Sequence, residues 1–94
     1  MKEGNILKRF DIIAEEMKTK EDAEKHLKEV FGMNPDHNLT LDSLYMELMS
    51  FKEPVRIVFD DATGAVDSLG RFGLGLIKLM RDADKESDYI DFEW

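Results

Sequence analysis

"EPVRIVFDDATGAVDSLGRFGLGLIKLMRDA", residues 53 to 83, decides how this chain folds. "VRIVF" at 55 to 59 is a β-branched run set between Pro54 and a pair of aspartates, which is the signature of a short strand. "DDATGAVDS" after it reads as loop, because Asp, Thr, Gly and Ser cluster there. From about Ser68 to Asp84 the apolar residues Leu69, Phe72, Leu76, Leu79, Met80 and Ala83 recur at helical spacing. Gly70, Gly73 and Gly75 each weaken that helix by about 1 kcal/mol relative to Ala. "YIDFEW" at 89 to 94 then alternates, with Ile90, Phe92 and Trp94 on one side and Tyr89, Asp91 and Glu93 on the other. Two strands joined through a helix call for parallel pairing, since a tight hairpin is ruled out by the distance between them.

Upstream, the run from Phe10 to Ala14 reads as a first strand. Thr19 is placed to cap a first helix, with Asp22 three residues on. Ala23, Leu27, Val30 and Phe31 form its buried stripe, and Gly32 ends it. Asn34 and Pro35 break the chain, Thr40 caps a second helix, and Pro54 closes that segment. The expected architecture is α/β: a three-stranded parallel sheet packed with helices, in the order β-α-α-β-α-β, with the helices mostly on one face. Residues 1 to 94 make a single domain, without internal repeats or a low-complexity linker.

Charge narrows the function classes. The chain carries a net charge of −8, and residues 34 to 94 hold 13 acids against six bases. Such a surface repels a polyanion, so direct nucleic-acid binding is not expected, and a basic protein is the favoured partner. The absence of Cys removes disulfides and thiolate metal sites. No stretch approaches a membrane span, and the opening residues 1 to 13 lack a secretory leader. A cytoplasmic protein without membrane attachment is the expectation.

Chemical motifs are weak. Residues 82 to 93 place acids at the first, third, fifth, seventh, tenth and twelfth positions of a calcium-loop window, but Ser87 stands where the sharp turn needs Gly. "GRFGLG" at 70 to 75 has the wrong glycine order for a phosphate loop, and small residues allowing close helix packing explain it better. His26 borders the first helix's apolar stripe and His37 lies in a loop. No arrangement of nucleophile, base and acid emerges, so no enzyme activity, metal or cofactor is expected.

The second helix is different. Leu41, Leu44, Leu48 and Phe51 make a core-facing stripe, yet the opposite side carries Asp42 and Met46, bordered by Tyr45 and Met49. No Lys or Arg occurs between Lys28 and Lys52. Tyr and Met are enriched at the centres of interfaces, and here they adjoin Asp42 and the loop acid Asp36 in an uncompensated negative stretch.

These features resemble the barstar family, small intracellular inhibitors of secreted ribonucleases. The resemblance runs over nearly the whole chain: a first strand, a helix, a Pro/Asn loop, "LDSLYMEL" at 41 to 48, "EPVRIVF" at 53 to 59, and "LIKLMRDA" at 76 to 83 before the last strand. It implies that Asp42 is the first acid of an inhibitory helix, that Tyr45 takes the place of the family's usual aromatic, and that Asp82 corresponds to an acid on the third helix. Met46 stands where the family typically has an acid, and Glu47 follows about 100° around the helix. The preceding loop reads Asp36, His37, Asn38, Leu39, Thr40 in place of the family's Tyr-Gly-x-Asn pattern. The function implied is a ribonuclease inhibitor or immunity protein that blocks the enzyme's cationic active site with an acidic helix-and-loop surface built from Asp36, His37, Asn38, Asp42, Tyr45, Met46, Met49 and Asp82. An acidic protein–protein adaptor, or immunity against a toxin that is not a ribonuclease, is the alternative.

Overall fold

A computed structural model describes Ile6 and residues 8–94. The chain runs β1 (Lys8–Ile13), a 3-10 turn (Ala14–Glu16), α1 (Lys20–Val30), α2 (Leu41–Met49), β2 (Val55–Asp60), α3 (Ala62–Leu69), α4 (Arg71–Glu86) and β3 (Ile90–Glu93). The reading of the first residues for a leader lies largely outside the described residues. Among the described residues, no helix is long and apolar enough to cross a membrane.

The three strands form one parallel sheet in the order β1-β2-β3, as the strand-helix-strand logic requires. Phe10 pairs with Ile57, which pairs with Phe92; Ile12 pairs with Phe59, and Val55 with Ile90. Because strand side chains alternate, this register gathers Phe10, Ile12, Val55, Ile57, Phe59, Ile90 and Phe92 on one buried face. The helices cover that face. The opposite face stays open, although parallel sheets are usually covered on both sides. Paired charges occupy it instead: Arg9 with Asp11 at 2.9 Å, and Arg56 with Asp91 at 3.0 Å and Glu93 at 3.8 Å. Hydrogen bonding to Asp11, reinforced by that carboxylate's charge, holds the Arg9 guanidinium above its usual pKa.

The caps fall where the hydroxyls are. Thr19 accepts a hydrogen bond from the Asp22 amide at 3.1 Å, and Gly32 leaves α1 with φ +65°. At α2, the Thr40 hydroxyl accepts from the Ser43 amide while the Ser43 hydroxyl accepts from the Thr40 amide, a reciprocal capping box. His26 accepts a hydrogen bond from the Ile13 amide at 3.0 Å through Nε2, tying α1 to the end of β1. Phe10 stacks on Phe51 with ring centroids 5.5 Å apart and lies 4.9 Å from Phe31, so the chain leaving α2 and the end of α1 are fixed to the same strand.

Two expectations need correction. Residues 62–69 form a helix rather than a loop, so the element order is β-α-α-β-α-α-β and α4 begins at Arg71 instead of Ser68. Asp61, in the left-handed region at φ +57°, caps α3 by accepting from the Gly64 amide at 3.2 Å. Gly70, also at φ +57°, breaks α3 from α4. α3 is short and rich in weak helix formers, so packing of Ala62, Ala65, Val66 and Leu69 holds it, not propensity. The second correction concerns Trp94. β3 stops at Glu93, and Trp94 is 64% exposed instead of sharing the buried face of Ile90 and Phe92.

Candidate functional site

α2 owes its position to residues that do not touch solvent. Leu44 and Leu48 are fully buried, and Leu39 anchors the preceding loop in the same core. Gly75 lets α4 come close: a Cβ there would sit 2.9 Å from the Leu41 Cδ1. Gly73 does the same for α3, where a Cβ would lie 2.8 Å from the Ala65 carbonyl oxygen. The glycines of "GRFGLG" therefore serve one chain break and two close packings.

With its inner face fixed, α2 presents Met46 outward at 72% exposure, the most exposed of the described large hydrophobic residues. Met46 does not lie on a flat surface. Toward α4 runs a groove of about 370 Å³ lined by Leu41, Asp42, Tyr45, Gly75, Lys78, Leu79 and Asp82. Toward the loop lies a second depression of about 430 Å³, whose lining includes Asn34, His37, Ser43, Met46, Glu47 and Ser50.

The sequence-predicted residues thus divide among several places. Asp42, Tyr45 and Asp82 come together in the helix–helix groove, and His37 and Met46 come together in the loop-side depression. Asp36 and Asn38 are exposed in the loop but line neither hollow. Met49 is half-buried and packs against the core. Asp82 receives a 3.2 Å ion pair from Lys78 one turn earlier, whereas Asp42 has no ion-pair partner among the described residues.

Two contributors escape a reading of the sequence. Lys28, on α1, donates from Nζ to the carbonyls of Pro35 at 2.8 Å and His37 at 3.1 Å. The stretch without bases between Lys28 and Lys52 is therefore stapled by the lysine at its border, and the Asn34 side chain adds a turn by accepting from the Asp36 amide at 2.9 Å. No local pattern announces a contact made seven and nine residues along the chain, from the last turn of α1 into the irregular loop. Glu47 is the other. Its position about 100° from Met46 suggests a separate edge, but Glu47 and Met46 line the same depression, whose other wall includes His37 of the loop.

The acids of residues 82 to 93 do not converge. Asp82 pairs with Lys78, Asp84 accepts from the Phe92 amide at 2.7 Å, and Asp91 pairs with Arg56. Among the described residues, no group of three or more His, Asp or Glu side chains is arranged to hold a metal ion. Compared with known proteins, the chain matches no protein-family model and no curated protein.

Proposed function

We propose that this protein is a barstar-like inhibitor that blocks the cationic active site of a secreted ribonuclease or toxin nuclease, using the outward face of α2 and its loop. The observation that carries the reading is the placement of Met46: a large apolar side chain, 72% exposed, that lines the His37–Glu47 depression on the same helix whose Asp42 and Tyr45 line the groove toward Asp82. A helix held only for its fold gains nothing from that arrangement, whereas a central apolar contact ringed by acids suits a basic cleft with an apolar wall.

The mechanism needs no bond chemistry. A ribonuclease site is cationic because it must hold phosphates, and carboxylates on a rigid helix occupy the same positions and exclude RNA. Asp42 supplies a carboxylate near the positive end of α2, and Asp82 adds potential from α4, attenuated by Lys78. Met46 supplies desolvated contact where a related inhibitor would use charge, so the target's matching surface is less basic at that point.

The test is inhibition of a purified cationic secreted ribonuclease, measured as RNA cleavage at low and high salt. The expected result is inhibition that weakens as salt rises. Met46→Asp should shift selectivity toward ribonucleases with an additional cation in the cleft. Absence of inhibition across such enzymes, together with no protection of cells expressing them, would overturn the reading.

A further inference from the structure

The far flank of α4 has a composition opposite to that of α2. Arg71, Leu74, Lys78, Arg81 and Lys85 are all exposed, and their 3-4-3-4 spacing places them within an arc of roughly 80° on the helix. Residues 34 to 94 contain six bases, and four of them stand on this one ridge. In a chain of net charge −8 that is a strong local reversal.

Beside the ridge lies an apolar groove of about 520 Å³, lined by Thr63, Val66, Leu74, Ile77, Lys78, Arg81 and Trp94. Leu74 is 58% exposed and Trp94 64% exposed, so the groove keeps two large apolar side chains in water. The Arg81 guanidinium stands 5.8 Å from the centre of the Trp94 ring, which holds a cation over the groove's rim. Lys78 is also available there, because its pair with Asp82 is between two well-exposed side chains.

We propose that this groove is a second docking surface, for an acidic amphipathic helix of a partner protein. Apolar residues at i, i+3, i+4 and i+7 of that helix would pack against Val66, Leu74, Ile77 and Trp94 in the groove, while its flanking Asp or Glu side chains meet Lys78 and Arg81. Charge selects the occupant: the basic ridge repels the cationic partner proposed for α2 and attracts an acidic one. A second copy's α4 ridge would bring like charges together. The inference does not rest on the α2 reading, since the residues carrying it are on other surfaces; Lys78 alone borders both grooves.

Trp94 is the chain's one tryptophan and reports directly on the groove. The experiment titrates the full chain with a synthetic helical peptide of about four turns, Leu at the stated spacing and Glu on the flanks, following Trp94 emission and backbone amide shifts. The expected result is a saturable emission change, with amide shifts confined to α3, α4 and the end of β3. Arg81→Glu and Leu74→Ser, both at exposed positions, should each weaken binding about tenfold or more. Lack of saturation, tight binding by both variants, or shifts centred on α2 would overturn the proposal. So would an equal response to a Lys-flanked peptide. A Trp94 response to phosphatidylserine vesicles without one to the acidic peptide would assign the groove to a membrane surface, and a concentration-dependent dimer that shields Trp94 would assign it to a second copy; either result refutes the proposal.

Discussion

α2 and α4 lean on each other across Gly75 and bury the same kind of stripe, yet their outward faces have opposite characters. α2 shows Asp42, Tyr45 and Met46, and α4 shows Arg71, Lys78, Arg81 and Lys85 around Leu74. Packing determines the inner halves of both helices and leaves the outer halves unconstrained. A solvated face needs only solubility, which interspersed charges of both signs provide. On α2 the acids Asp42 and Glu47 flank Met46 without a base, whereas one flank of α4 sets four bases around Leu74 and leaves Asp82 to the side facing α2; this uneven distribution exceeds that need and is the basis for proposing two binding surfaces.

The comparison predicts that inner and outer substitutions separate sharply. Leu44→Ala or Leu48→Ala, at fully buried positions, should cost about 2–5 kcal/mol in urea unfolding. Next in size is Gly73→Ala, which drives a Cβ against the Ala65 carbonyl oxygen of α3. Backbone cannot swing aside, so a net loss of about 1–3 kcal/mol is expected despite the better helix propensity of Ala. Gly75→Ala instead meets the end of the flexible Leu41 side chain, and should change stability by under about 1 kcal/mol. If the two glycine variants behave alike, the close α3–α4 approach is misjudged. Thr40→Ala removes half of the α2 capping box and should cost about 1 kcal/mol. The smallest effect belongs to the outward face: Met46→Ser should leave the urea midpoint within about 0.5 kcal/mol of the parent, and a larger loss would mean that Met46 is structural after all.

Periodicity and caps make most of the fold legible in the amino-acid sequence. The Thr19 and Thr40 caps, the glycine exit from α1, the β-branched second strand and the alternating third strand are local signals, and local signals survive in the fold. α3 is hidden because Thr63, Gly64, Asp67 and Ser68 are turn residues by propensity; the i, i+3, i+4, i+7 spacing of Ala62, Ala65, Val66 and Leu69 is the signal that reveals it. Trp94 departs from its expected place because alternation alone does not say where pairing stops. The site is legible only in outline. The unusual face of α2 is readable from its own residues, but the division of that face into two hollows depends on where α4 and the loop lie. The Lys28 staple and the shared hollow lined by Glu47 and His37 are long-range outcomes of packing.

The α2 face is proposed to act in binding and not in folding. The most direct measurement compares Asp42→Ala with the parent in two assays on the same preparation: inhibition of the cationic ribonuclease and urea unfolding. The expected result is a loss of binding of about 2 kcal/mol or more for Asp42→Ala, a smaller one for Glu47→Ala, and an unfolding midpoint for both close to the parent's. Unchanged inhibition and unchanged salt dependence in Asp42→Ala would contradict it, and the acid and methionine on α2 would then be the surface of an ordinary solvated helix.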